Sequence, residues 1–173
     1  MSTHSGMRLS TKSIVLWINL LAVVAILLVG CASAPTAKPT ADHPNEQAQI
    51  RRRLDEIFDA AKKKDFNRLD GYHFYGPMFT KFAAETTGRQ DATAARQGEH
   101  DGLGSANDLS MQADDLKIDV FRDVGIATFV LNYSFKAQAG TIEKKARSTM
   151  VFVKERGAWR IVHEHFSPLK PNP

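Results

Sequence analysis

Near its C-terminal end the chain carries two histidines, His163 and His165, two residues apart in the run WRIVHEHF (Trp159–Phe166). Side chains alternate along a strand with period two, so a strand here places Trp159, Ile161, His163 and His165 on one face. Two imidazoles on a face that begins as core have three uses. They can hold a metal ion, exchange protons with a substrate, or sit as bonded structural groups at a pocket rim. Zinc needs a third protein ligand and a further donor. His73, His100, Asp70 and Glu164 are available by composition, but Glu164 alternates to the opposite strand face. No cysteine or His-Glu-x-x-His pattern supports a metal, and none is expected. An unperturbed imidazole titrates near neutral pH, so His163 and His165 are the catalytic candidates if the domain is an enzyme.

Other side chains bear on a small-molecule site. Arg147 and Thr149 share a strand face with Val151 and Val153, and an arginine beside an apolar run is suited to an anion such as a carboxylate. Tyr72 and Tyr75 flank His73 and Phe74 in an aromatic stretch, with polar tips on apolar bodies. Asn132 alternates with Tyr133 in a strand-like run. The expected ligand contacts are therefore Arg147, Thr149, Tyr72, Tyr75, Asn132, His163 and His165. No Ser/His/Asp spacing is present. Gly98, Gly102 and Gly104 lack the strand-to-helix context of a phosphate-binding loop, and no cofactor is expected.

These residues need a frame. Ile50, Leu54, Ile57, Phe58 and Ala61 fall at helical spacing, after Asn45 as N-cap and before Lys62–Lys64 in the last turn. Asp65 caps a short turn, Phe66–Leu69, ended by Gly71, and Pro77 suits the first turn of another short helix carrying Met78, Phe79 and Phe82. Ala92–His100 has helical character; the rest of residues 86–107 gives no clear signal. Four strand-like runs follow: Leu116–Asp123, Ile126–Ala137, Glu143–Glu155 and Trp159–Phe166, joined by short glycine-containing links. Helices first and an antiparallel meander second make an α+β plan.

The first 30 residues contain Arg8 and Lys12, no acid, and the apolar stretch Ile14–Val29 broken by Asn19. A basic region followed by an apolar one reads as an export signal. Without it the charge is about +2, and no basic stripe interleaved with aromatics remains, so nucleic acid is excluded as a partner. Cys31 is the chain's one cysteine, so no intrachain disulfide forms. The sequence Leu28-Val29-Gly30-Cys31 resembles the lipobox of bacterial lipoproteins. That resemblance implies acylation of Cys31, a membrane anchor outside the cytoplasm and, with Ala32 following, the outer membrane facing the periplasm in a Gram-negative cell. Residues 1–30 are then the signal peptide and 31–45 the lipidated cysteine with an Ala/Pro/Thr-rich tether. Residues 46–169 form the folded domain and 170–173 a tail.

The stretch Ala146–Leu169 is similar to the end of SnoaL-like domains, which show an Arg-x-Thr strand, a glycine turn and a Trp-x-Ile-x-His-x-His-x-Ser strand. The matching positions are Arg147, Thr149, Gly157, Trp159, Ile161, His163, His165 and Ser167. Asp115–Phe129 resembles the preceding hairpin. The resemblance to this branch of the nuclear-transport-factor-2-like superfamily implies a cone-shaped α+β barrel, with a long N-terminal helix and short helices on a curved antiparallel sheet. It also implies a pocket and a homodimer. The function expected is a lipid-anchored envelope protein that binds a small, partly apolar ligand or scaffolds a complex without catalysis. The alternatives are an isomerase, cyclase or hydrolase using a pocket histidine with Arg147, and a protein-interaction module without a small ligand.

Overall fold

The computed structural model describes residues 43–84 and 86–169; the apolar leader, Cys31, the tether as far as residue 42 and the tail lie outside them. Helix α1 (Pro44–Lys63) begins one residue before the expected Asn45 cap. Proline fits the first helical position because its φ is already helical and it has no N–H to leave unpaired. The helix buries Ile50, Leu54, Ile57, Phe58, Ala60 and Ala61, one stripe of its surface. It stops at Lys64, which is left-handed (φ 56°), and Asp65 then caps α2 (Phe66–Gly71) by accepting from the Arg68 N–H at 3.1 Å. Among the described residues no helix is long and apolar enough to cross a membrane.

The helix expected after Pro77 is instead a turn, in which the Phe79 N–H donates to Gly76 O at 3.0 Å, followed by a short strand β1 (Thr80–Phe82). Pairing with the sheet satisfies the backbone here in place of helical bonds. Helix α3 (Ala92–Ser105) is capped by Asp91 and runs through Gly98, Gly102 and Gly104, past the expected end at His100, yet it buries only Ala95. The remaining strands are β2 (Asn107–Phe121), β3 (Val124–Ala137), β4 (Gly140–Glu155) and β5 (Ala158–Pro168). All four were expected; β2 reaches further back than its apolar pattern indicates.

The strand order is β1-β5-β4-β3-β2, a meander with β1 added parallel to β5. The α+β fold class is as expected, with the sheet an open, half-cone surface rather than a closed barrel. Register shifts bend it. On β2 they accompany left-handed residues Asp108 (φ 49°) and Asp115 (φ 51°), and on β5 an extra residue falls between Ile161 and His163. Each such bulge kinks its strand and increases the local twist. The concave face carries Ala127, Phe129, Leu131, Met150, Phe152, Trp159 and Ile161, packed with α1 in one core.

Among the glycines of the described residues, the tightest approach is at Gly125. A Cβ there would stand 2.2 Å from Ile50 Cδ1 and 3.6 Å from Trp159 Cζ3. Ile50 is fully buried and has little room to swing aside. Gly125→Ala should therefore destabilise the domain by about 1–3 kcal/mol through overpacking, read as a lowered melting temperature. An unchanged melting temperature would show that Ile50 yields without cost.

Candidate functional site

The extra residue in β5 decides which side chains enter the cone. Val151 pairs with His163 and Phe152 with Ile161, so Val162 is unmatched. Beyond it the alternation reverses. Trp159 and Ile161 face inward, but so do Glu164 and Phe166, while His163 and His165 turn outward. The expectation that Trp159, Ile161, His163 and His165 share one face is thereby corrected; an uninterrupted period of two does not survive a bulge.

Parallel pairing then brings two cations beside Glu164. Lys81 is in register with Glu164, and His73 forms a bridge with Ile161. Helix α3 supplies a second carboxylate, because Ala95, Glu99 and Leu103 are spaced by four and all line the cone. Lys81 Nζ stands 2.6 Å from Glu99 Oε1 and 2.9 Å from Glu164 Oε2. His73 Nε2 lies 3.5 Å from Glu164 and 3.7 Å from Glu99 without an aligned hydrogen bond, and its Nδ1 donates to Leu69 O at 2.9 Å. The Tyr75 hydroxyl donates to Glu99 Oε2 at 2.8 Å, and its ring stacks on His73 with centroids 4.8 Å apart.

This cluster lies on the wall of a cavity of about 980 Å³ inside the cone. The rest of the wall is largely apolar, including Phe58, Leu103, Met111, Leu131, Met150 and Phe166. His73, Glu99 and Glu164 present three donor atoms within 4.8 Å of one another. The Lys81 ammonium already stands against both carboxylates, where a cation would have to bind, so the donor set suits an ion-pair network better than a divalent metal.

The SnoaL-like domain family matches residues 50–171. The chain belongs to this family. Solved structures agree on the fold. An NTF2-like family protein from Streptomyces avermitilis is similar with a TM-score of 0.67 at 12% identity, over 74% of this chain and 99% of the other. A nuclear transport factor 2 (NTF2-like) superfamily protein from Salmonella enterica gives 0.65 at 16% identity, over 75% and 94%. The S. rosetta CaMKII hub gives 0.61 at 23% identity, over 71% and 96%. No curated protein matches the chain.

Within this SnoaL-like cone, charge is fixed by neighbours. Burial alone would lower the His73 pKa. The Glu164 and Glu99 carboxylates outweigh it, and with a carbonyl on the other nitrogen they raise His73 to about 9. Burial would likewise lower Lys81, but the two carboxylates hold it above the ordinary lysine range. Burial would raise Glu164; Lys81 and His73 hold it well below the usual carboxylate range instead. Glu99 is raised, by burial first and by the Glu164 charge, against the pull of Lys81 and His73. Tyr75 is raised by burial and by Glu99.

The residues singled out from the sequence are divided by the structure. Tyr75 joins the cluster. Tyr72 is buried behind it, with Arg53 over its ring at 4.5 Å and its hydroxyl accepting from Arg68 Nε at 2.7 Å. Arg147, Thr149, His163 and His165 are brought together, on the outer face of the sheet. Thr149 is in register with His165, and His163 Nδ1 is 2.8 Å from Thr80 Oγ1. Asn132 and Arg147 line a second cavity, of about 950 Å³, that includes Ser110, Gln112 and Lys145. Sequence reasoning missed Lys81 and Glu99 and set Glu164 aside. The available signal was a lone lysine inside the aromatic run MFTKFAA and a lone acid inside a core strand. Either needs a buried partner if the strand is buried.

The sign of the His73 shift sets a pH dependence. Its folded value of about 9 lies above the unfolded 6.5, so its contribution to stability is complete below pH 6.5 and is lost as pH rises towards 9. The full contribution is on the order of 3 kcal/mol. The melting temperature should fall between pH 6.5 and 9, less so in His73→Gln, and the His73 ring should titrate near 9 by NMR. A His73 midpoint at or below 6.5 would contradict the network.

Proposed function

We propose that this protein is a lipid-anchored envelope protein whose SnoaL-like domain binds a small, partly apolar molecule in its cone, without catalysing a reaction on it. The observation that carries the reading is the cavity of about 980 Å³, with a largely apolar wall that includes the buried ion cluster and further polar side chains such as Gln90, Asn107, Lys136 and Lys144. Ligand sites in general have this composition, in which area gives affinity and a few polar groups fix orientation. The non-catalytic part is supported by the state of the cluster. General acid–base work favours a group poised near the working pH. Here His73, Lys81 and Glu164 are each drawn away from neutrality by one another, as in a structural network, and Glu99 alone of the four is shifted towards it.

The outer sheet face supports a homodimer. Ile126, Val130, Val151, Val153 and Val162 are only half-buried there, and Phe82 and Phe121 are exposed. The anchor rests on Leu28-Val29-Gly30-Cys31 closing an export signal, with a tether of low apolar content between it and the fold. One acyl chain binds membranes only marginally, so several on Cys31 would be needed for firm attachment.

Native mass spectrometry of the unlipidated protein should show a dimer retaining a small molecule, and decan-1-ol should displace a fluorescent apolar probe from the cone. An empty protein that binds neither probe nor decan-1-ol would overturn the ligand reading. For the anchor, a palmitate analogue fed to cells should label the wild type and leave Cys31→Ser unlabelled; equal labelling would sink it.

A further inference from the structure

Two donors and a neighbouring imidazole from the fixed frame surround one carboxylate that comes from the least buried helix. Lys81 Nζ is 2.6 Å from Glu99 Oε1 and the Tyr75 hydroxyl donates to Glu99 Oε2 at 2.8 Å, while the His73 ring adds positive charge beside that oxygen at 3.7 Å, its Nε2 lying nearer Glu164 at 3.5 Å. Each is held without Glu99. Lys81 has Glu164 at 2.9 Å and the β1–β5 pairing, His73 has Leu69 O, and Tyr75 packs between His73 and Phe79.

Glu99 is held differently. It rides on α3, which buries only Ala95 and contains three glycines, each of which weakens a helix interior. Outside the cone α3 is fastened by Arg96 and His100, which contact Asp70 at 2.7 and 2.9 Å. Of the four charged groups, Lys81 and Glu99 are the most open to the cavity, with side chains 11% and 10% exposed against 4% for Glu164 and 1% for His73.

We propose that Lys81, Tyr75 and His73 form a carboxylate cradle, that Glu99 is its built-in occupant, and that a molecule with a carboxylate head and an apolar tail replaces Glu99 there. This rests on the cone being a ligand site. The exchange swaps one carboxylate for another, so the buried charges stay balanced while Glu99 regains water. A cationic head would meet Lys81 and His73 at close range. A neutral alcohol in the place of Glu99 would leave Lys81 and His73 to share the single carboxylate of Glu164.

The test compares decanoate with decan-1-ol by probe displacement on the full domain. In the wild type Glu99 competes, so decanoate gains little over decan-1-ol. Glu99→Ala should tighten decanoate at least about tenfold, as a charge-assisted contact predicts, and leave decan-1-ol within about threefold. Glu99→Gln keeps the shape, guards against a folding defect in the alanine variant, and should give a smaller gain of the same sign. Adding Lys81→Met to either variant should abolish the gain, and Asp101→Asn, on the exposed side of α3, should produce none. Equal gains for both probes, or no decanoate gain in either Glu99 variant, would overturn the cradle while decan-1-ol binding kept the cone as a ligand site. Loss of decan-1-ol binding by the wild type would instead remove the cone reading beneath it.

Discussion

Glu164 is an ionised carboxylate with almost no access to water, and its burial has to be compensated by nearby positive charge. Much of the site's architecture meets that requirement. Strand β1 is three residues long, yet it adds to the sheet edge in the one register that sets Lys81 beside Glu164. The segment after α2 bonds to β5 through Phe74 N–H to Ile161 O and Ile161 N–H to Tyr72 O, which fixes His73 on the same side. Helix α3, with little buried apolar surface, is drawn inward at Glu99 and fastened outward at Asp70. The ion network thus does for the open side of the cone what apolar packing does for the side covered by α1.

The division of labour has a consequence for the cavity. Where α1 meets the sheet, packing reaches the point at which Gly125 leaves no room for a methyl group. Where α3 meets it, Ala92, Ala95 and Leu103 give a thinner apolar contact beside the ion pairs, and the cone keeps its space. Close packing fixes the side of the cone covered by α1, whereas buried, paired charges fasten the side covered by α3. The two walls of the domain are therefore built from different interactions.

Much of the frame was legible in the sequence because it depends on local periodicity. Ile50, Leu54, Ile57 and Phe58 declare a helix stripe whatever they pack against, and the four apolar, β-branched runs separated by glycine turns declare a meander. The tail motif around Trp159 and Ile161 indicated the SnoaL-like fold. The failures have a common form. The strand β1, the length of α3 and the inward face of β5 beyond Ile161 all depend on partners distant in sequence. The most visible histidines, His163 and His165, sit on the outer face for that reason.

By itself the sequence determined the α+β plan, the long helix and the order of the strands, because hydrophobic spacing and turn chemistry act over a few residues. Tertiary structure alone decided which charged side chains meet. One unmatched residue, Val162, reverses the alternation of β5 and carries Glu164 into the cone. Lys81 and His73 then come from separate segments to neutralise it, and Glu99, from a third, balances the remaining positive charge. A bulge is fixed by pairing with the neighbouring strand and a buried charge by its counter-charges, and neither is a property of the local run of residues that contains it.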